Sequence, residues 1–184
     1  MNNILLLEDL PEIRAWLKSL VLQVFPTARI TECSRVADAL MQVSSGPRFE
    51  LALVDLGLPD GSGTDVVAAL RDNQPEAQSV VVTIHDDDEH LFPALQAGAY
   101  GYILKEQSRE QITEQLTRIS SGEPPLSPSI ARKVIKYFAE QAKPQALQEL
   151  ALLRLAAVHL EAKRFAPAEA ALARIQSTAY AGLV

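Results

Sequence analysis

Short apolar runs alternate with longer amphipathic stretches along the first 120 residues of the chain. In the longer stretches, apolar residues recur every three or four positions, which indicates helices with one buried face. Strict alternation of strand and helix is typical of an α/β fold, and here it predicts a doubly wound parallel sheet of five strands. The predicted strands are Asn3–Leu7, Ala28–Cys33, Leu51–Asp55, Ser79–Thr83 and Gly101–Leu104. The predicted helices are Pro11–Phe25, Arg35–Val43, Thr64–Arg71, Glu89–Ala97 and Ser108–Ser120.

Several of these helices begin or end at recognisable residues. Pro11 suits a first turn, where its missing N–H is not needed. Ser34 is predicted to cap the second helix through its hydroxyl. Gly98 is predicted to end the fourth helix, because glycine readily adopts the left-handed conformation found there.

A proline-rich segment, residues 121–128, interrupts the alternation. Its three prolines stop any helix, so we interpret the segment as a linker. The linker separates a first domain, residues 1–120, from a C-terminal segment, residues 129–184.

The C-terminal segment is predicted to be an all-helical extension. Ser129–Gln141 places apolar side chains on one face of a helix. Residues 144–184 are rich in alanine and contain two amphipathic stretches that meet near Arg164–Pro167. This pattern predicts an αα-hairpin.

The composition adds limits on location. A hydrophobic fraction of 48% is ample for a core, yet no apolar run is long enough to cross a bilayer. The N-terminus lacks the pattern of a signal peptide. Cys33 is the single cysteine and cannot form an internal disulfide, so we expect a buried thiol in a reducing cytoplasm, without a membrane partner.

The net charge of −6 hides an asymmetry along the chain. Residues 1–120 carry 9 basic and 18 acidic side chains, whereas residues 121–184 carry 8 and 5. A surplus of three positive charges in the second part is too small to indicate nucleic-acid binding.

Acidic residues follow two of the apolar runs directly. Asp55 follows Leu51–Val54, and Glu8 and Asp9 follow Ile4–Leu7. Parallel strands bring their carboxyl ends to one edge of the sheet, where open α/β sheets bind their ligands. Three carboxylates gathered there would repel one another unless a cation lay among them or one stayed protonated. The pattern therefore predicts a divalent metal beside a nucleophilic aspartate, the alternative being that Asp55 only caps a helix or loop.

Two more strand ends carry polar residues. Thr83 ends the fourth predicted strand, Lys105 follows the fifth, and Tyr102 lies three residues before that lysine. In this order, these residues and the acids above resemble the receiver domain of bacterial two-component response regulators. The resemblance covers about two-thirds of the chain and implies a flavodoxin-like fold.

The resemblance also implies a phosphorelay function. Asp55 would accept a phosphoryl group from a histidine kinase, and Lys105 and Thr83 would contact the phosphoryl oxygens. Mg²⁺ or Mn²⁺ would serve as the metal, with Glu8 bound through water. The implied ligands are Glu8, Asp9, Asp55 and the main-chain carbonyl of Gly57.

Switching is implied by the same resemblance. Thr83 would move toward the phosphoryl group and leave space for Tyr102 to turn inward, although Tyr102 could equally be a plain core aromatic. The change would alter conformation or homodimerisation. No enzymatic activity is implied beyond the domain's own phosphorylation and dephosphorylation. A stand-alone metal-dependent phosphatase is the less favoured alternative, because no second general acid or nucleophile is visible.

Two local features need separate interpretation. Many receivers have proline after the conserved lysine, whereas this chain has Glu106, as in the NarL/LuxR-type subset. The run His85–His90 contains two histidines and four acids. We interpret it as a solvated loop and an acidic helix N-terminus rather than a metal site.

Residues 122–133 resemble the connector of NarL/LuxR-type transcription regulators. The DNA-binding domain that follows in those proteins has a polar recognition helix, and residues 144–184 lack one, which argues against DNA binding. They resemble instead one tetratricopeptide-type hairpin, which cannot bury its own apolar stripe. We therefore expect a helical output that binds a protein partner or serves as a dimerising or capping tail. The alternative is a NarL/LuxR-type regulator with a degenerate or truncated DNA-binding domain.

Overall fold

The protein forms a five-stranded parallel sheet in the computed structural model, which describes residues 1–141. The strands lie in the order β2-β1-β3-β6-β7, so the chain reverses direction across the sheet after β2, and the prediction of a doubly wound parallel sheet is confirmed. A two-stranded antiparallel hairpin, β4–β5, follows β3 and was not predicted. The strands are β1 Asn3–Leu7, β2 Arg29–Cys33, β3 Leu51–Val54, β4 Gly57–Leu58, β5 Gly61–Ser62, β6 Gln78–Thr83 and β7 Gly101–Leu104.

Helices cover both faces of the sheet. On one face, α1 and α5 pack with inward-facing residues of β1, β3, β6 and β7 into one apolar cluster. Neighbouring helices α2, α3 and α4 cover the other face. Because both faces are covered, β3 is buried along its whole length, which explains its unbroken apolar sequence. The helices are α1 Pro11–Val24, α2 Val36–Ser45, α3 Gly63–Asn73, α4 Asp88–Ala97, α5 Arg109–Ile119 and α6 Pro128–Gln141.

The start of α2 differs from the prediction. Its N-cap residue is Arg35, which makes no capping side-chain hydrogen bond, so the predicted cap by Ser34 is wrong. The carboxylate of Asp60 takes that role from a distant loop, accepting the N–H groups of Val36 and Ala37 at 3.0 and 3.1 Å. A carboxylate at this position also faces the positive end of the helix dipole.

The proline-rich segment lies against the edge of the sheet. The carbonyl of Pro125 accepts the N–H of Tyr102 at 2.8 Å, and Leu126 forms a parallel bridge with Tyr102. Gly101 permits this approach, because a Cβ at that position would come within 2.4 Å of the Pro125 ring. The segment therefore satisfies backbone groups of β7 that would otherwise remain unpaired at an edge strand.

The chain divides into two compact units, Met1–Arg132 and Lys133–Val184. The second contains the part of α6 that carries the exposed side chains of Ile135 and Phe138. A helix was predicted at Ser129–Gln141, and α6 matches it. The αα-hairpin predicted for residues 144–184 lies outside the described residues. Within residues 1–141, no helix is long and apolar enough to cross a membrane.

Cys33 gives a simple test of the packing. Its side chain is 5% exposed, and burial, aided by the carboxylate of Asp38, raises the pKa of the thiol to about 11. Because the thiolate is the reacting species, iodoacetamide near neutral pH should alkylate the native chain roughly two orders of magnitude more slowly than the urea-unfolded chain. Mass spectrometry measures both rates, with Cys33→Ser as the blank. Equal rates would contradict the burial of this thiol.

Candidate functional site

Neighbouring strand ends bring the predicted acids together. β1 and β3 pair with Leu7 opposite Val54, so the residues that follow, Glu8 and Asp55, lie side by side. The main-chain N–H of Asp55 donates to the carbonyl of Leu7 at 3.0 Å, which extends the pairing into the site. Asp9 follows at the mouth and is half-buried.

Lys105 reaches these acids from the end of β7. Its Nζ lies 2.9 Å from Asp55 Oδ2 and 2.5 Å from Glu8 Oε2. The side chains of Lys105 and Asp55 are 10% and 9% exposed, and that of Glu8 is completely buried. Lys105 therefore points into the site even though the next residue is Glu106 rather than proline.

The donor set fits a hard divalent cation. Glu8, Asp9 and Asp55 each offer a carboxylate oxygen, and these oxygens lie within 4.8 Å of one another. Three ionised carboxylates beside one ammonium leave two negative charges, which a dication would balance. An all-oxygen set of this kind suits Mg²⁺, which keeps several of its water ligands.

Glu8 is the most constrained member of the cluster. Burial raises the pKa of its carboxyl above the usual range, and the Lys105 ammonium, which favours the ionised form, opposes that shift without cancelling it. The negative charge of Asp55 acts in the same direction as burial. The second carboxylate oxygen of Glu8, Oε1, accepts the N–H of Leu10 at 3.3 Å.

The backbone after Asp55 is held closely against the site. Asp55 Oδ1 accepts the N–H of Leu56 at 2.8 Å, and the β4–β5 hairpin returns the chain to Gly63. A Cβ at Gly63 would lie only 1.8 Å from the carbonyl oxygen of Asp55. A side chain larger than hydrogen at this position would therefore displace the backbone that carries Asp55.

Thr83 and Tyr102 lie beneath the site and are fully buried. Thr83 Oγ1 accepts the N–H of His85 at 3.3 Å, and the Tyr102 hydroxyl donates to the carbonyl of His85 at 2.8 Å. Burial raises the pKa of that hydroxyl, so it remains a donor at neutral pH. Both predicted switch residues therefore contact the same loop residue, and Tyr102 points inward.

A cleft of about 410 Å³ opens onto the acidic cluster. Thr83 does not line it. The sequence analysis did not assign Leu10 and Ile84 to the site, although their positions directly after Asp9 and Thr83 would have identified them. The lining residues are Asp9, Leu10, Ile13, Asp55, Gly57, Ile84, His85, Lys105 and Glu106. A larger cleft of about 580 Å³ lies at the opposite edge of the sheet and contains no comparable acid cluster among residues 1–141.

Comparison with known proteins agrees with this geometry. The family model of the response regulator receiver domain matches residues 4–117, which is more than half of the chain. The chain belongs to the response regulator receiver family. The response regulator protein TrrA from Thermotoga maritima, which has the same fold with a TM-score of 0.56 and 24% identity, was solved in complex with Mg²⁺ and BeF. In this chain, Glu8, Asp9 and Asp55 form an acidic cluster at the carboxyl ends of the strands.

Individual proteins and solved structures are also similar to this chain. The chain is 29% identical over 132 residues to a glycerol metabolism activator of Pseudomonas putida, covering 72% of this chain and 60% of that protein. It is 28% identical over 175 residues to a nitrate/nitrite response regulator protein homolog of Haemophilus influenzae, covering 89% and 79%. Among solved structures, a LuxR-family two-component response regulator from Aurantimonas sp. SI85-9A1 has the same fold, with a TM-score of 0.64, 24% identity and coverage of 75% and 98%.

These relatives differ in how much of their length is matched. The chain spans 60% of the length of the Pseudomonas relative and between 44% and 56% of the length of several others. The alignment with the Haemophilus relative is longer than residues 4–117 and extends into the C-terminal segment.

Proposed function

We propose that Asp55 is the phosphoacceptor of this receiver and that a sensor histidine kinase supplies the phosphoryl group. The observation that supports the assignment is the position of its carboxylate, which lies at the end of the central strand, 2.9 Å from Lys105 Nζ and within the acidic cluster. An aspartate so placed is open to the cleft on one side and held by a backbone N–H on the other.

The transfer step uses groups already in place. A carboxylate oxygen of Asp55 forms a bond to phosphorus while the bond from phosphorus to the donor's imidazole nitrogen breaks, leaving an acyl phosphate and a free histidine on the kinase. The Lys105 ammonium moves to a phosphoryl oxygen and balances part of the added charge. When bound, Mg²⁺ supplies further positive charge to those oxygens. Its proposed ligands are Asp9, Asp55, the carbonyl of Gly57 and, through water, Glu8.

Thr83 and Tyr102 are proposed to transmit the change. Phosphorylation adds about −1.5 to −2 charge and strong acceptor oxygens. The Thr83 hydroxyl would turn from His85 toward one of them. Tyr102 already holds the His85 carbonyl from inside, so a shift of His85 would reach Tyr102, and the Tyr102 N–H would pass it to Pro125 in the linker. A change of homodimerisation at the receiver is the expected outcome.

Acetyl phosphate with Mg²⁺ provides the direct test, because it replaces the kinase as phosphodonor. The full chain should gain the mass of one phosphoryl group and lose it on hydroxylamine treatment, as an acyl phosphate does. Beryllofluoride should alter the oligomeric state measured by light scattering. A chain that does not gain the mass of a phosphoryl group would contradict the proposal.

For residues 144–184 we propose a helical output that binds protein, on the basis of their sequence. For the whole protein we propose a cytoplasmic location, on the basis of the unpaired Cys33. A second candidate, a NarL/LuxR-type DNA-binding output, is favoured by the longer alignment with the Haemophilus relative. The two differ in one measurement. Fluorescence anisotropy with duplex DNA should show no saturable binding for the first, and binding that weakens steeply with added salt for the second.

A further inference from the structure

A second group of metal-ligating side chains lies on the loop between β6 and α4. It consists of His85, Asp87 and His90, and we refer to it as the histidine cluster. Each residue offers one ligand atom, and these atoms lie within 4.8 Å of one another. The three side chains are between 34% and 47% exposed, so a cation could reach them from solvent.

The two imidazole rings of this cluster are stacked. Their centroids are 3.9 Å apart and their planes differ by 7°. His90 Nδ1 lies 2.7 Å from Asp87 Oδ1, and His85 Nδ1 lies 3.9 Å from Asp87 Oδ2. His90 therefore contacts one oxygen of the Asp87 carboxylate, and His85 Nδ1 lies near the other. Because the lone pair of an imidazole nitrogen lies in the ring plane, the two rings must tilt out of their parallel stack to share one ion.

Helix capping explains only part of this arrangement. Asp87 is the N-cap of α4, and its Oδ1 accepts the N–H of His90 at 3.1 Å. A capping aspartate needs that N–H and no imidazole. The ring of His85, placed over His90 and beside the second carboxylate oxygen, has no role in capping the helix.

We propose that the histidine cluster binds a first-row transition-metal dication, with Zn²⁺ as the probe ion. Two imidazoles and one carboxylate, with water in the fourth position, form a known type of zinc ligand set. Nitrogen ligands favour such borderline ions, whereas the acidic pocket offers only oxygen and suits Mg²⁺. The two sites of this domain would therefore select different metals.

The local charge supports binding of a cation. The Asp87 carboxylate lies beside both imidazoles, 2.7 Å from His90 Nδ1 and 3.9 Å from His85 Nδ1. Asp86 and Asp88 flank it in the sequence and add negative charge. Coordination requires a lone pair on the ligating nitrogen, so the tautomer that leaves that nitrogen without a proton is the one that binds the ion.

Metal binding at the histidine cluster would affect the loop between β6 and α4. His85 lines the cleft that opens onto Asp55, while its main-chain N–H and carbonyl contact Thr83 and Tyr102. A metal bound to His85 would restrain both contacts. The binding itself needs no phosphorylation, so it can hold even if the assignment of Asp55 fails.

The test is titration of the full chain with Zn²⁺ by calorimetry, with Mg²⁺ in large excess to occupy the acidic pocket. The wild type should bind one equivalent. His90→Gln and Asp87→Asn should each weaken the affinity for Zn²⁺ by at least about tenfold. Mutation of residues that only hydrogen-bond to metal ligands already costs about 10- to 100-fold in affinity, and loss of a ligand should cost no less. Asn is itself a good N-cap, so Asp87→Asn removes the charge and keeps the start of α4.

His159→Gln is the matched control, because it removes the third histidine of the chain outside the cluster. Its affinity should equal that of the wild type, and X-ray absorption of the bound zinc should report two imidazole ligands. The proposal is overturned if the wild type binds no zinc, if His90→Gln binds as tightly as the wild type, or if the zinc has only oxygen ligands.

Discussion

Asp55→Asn is expected to reduce labelling by acetyl phosphate and Mg²⁺ to background. The amide lacks the ionised oxygen that must bond to phosphorus, and no other carboxylate of the cluster has the same placement. Glu8 is completely buried beneath Lys105, and Asp9 follows a different strand. Phosphate incorporation measured by intact-mass spectrometry gives the result.

Two variants make that experiment specific. Asp72→Asn changes an exposed aspartate, 62% accessible and paired with Arg71, and should label like the wild type. Asp9→Asn keeps the acceptor but removes a proposed metal ligand, so it should label slowly and depend more steeply on Mg²⁺ concentration. Continued labelling of Asp55→Asn at the wild-type rate would mean that another residue is the acceptor.

The core of the site could be predicted because its residues follow apolar strands. In β3 the apolar run ends at Val54, so Asp55 must emerge at the carboxyl edge. The same reasoning places Glu8 and Asp9 after β1 and Lys105 after β7. Parallel strands bring these ends together whatever the lengths of the helices between them, so local sequence was sufficient.

Features that depend on distant contacts could not be predicted in this way. Ser34 has the chemistry of a cap, but Asp60, 24 residues away from Val36, occupies that position. Pro125 was predicted to be part of a linker, yet its carbonyl pairs with Tyr102 on the sheet edge. In both cases a hydrogen bond across the fold decides the outcome, and neither partner marks the other in the sequence.

The histidine cluster shows a related limit. The sequence indicated a solvated loop and an acidic helix start, and Asp87 does cap α4. The stacking of His85 on His90 depends on the path of the loop after Thr83. Spacing alone does not specify that path, since the ligands are separated by two and three residues across a turn.

Lys105→Met is expected to lower the free energy of unfolding by about 3 to 5 kcal/mol when Mg²⁺ is absent, the usual cost of removing one partner from a buried ion pair. Lys105 contacts two carboxylates, and all three side chains are at most 10% exposed. Its removal leaves Glu8 and Asp55 close together without a counter-charge. Urea denaturation in the presence of a chelator measures the change.

Lys18→Met is the matched control. Its Nζ lies 2.6 Å from Glu32 Oε1, but the lysine is 41% exposed, and such pairs contribute less than about 1 kcal/mol. The double variant Glu8→Gln/Lys105→Met should recover part of the loss, because a neutral amide replaces the unpaired buried charge. A loss for Lys105→Met no larger than that for Lys18→Met would contradict the role of Lys105 as counter-ion.

The dependence on metal and pH separates this effect from simple loss of packing. Mg²⁺ should raise the free energy of unfolding of Lys105→Met by about 2.7 kcal/mol when its concentration is a hundred times its dissociation constant, because it binds the folded state alone.

The pKa of Glu8 is already raised by burial, and removal of the Lys105 ammonium should raise it further. A folded-state pKa above the unfolded value means that stability is highest below the unfolded value and falls as pH rises through the folded one. Without Mg²⁺, the deficit of Lys105→Met relative to the wild type should therefore shrink as pH is lowered toward the ordinary pKa of a glutamate, whereas a packing defect would stay constant.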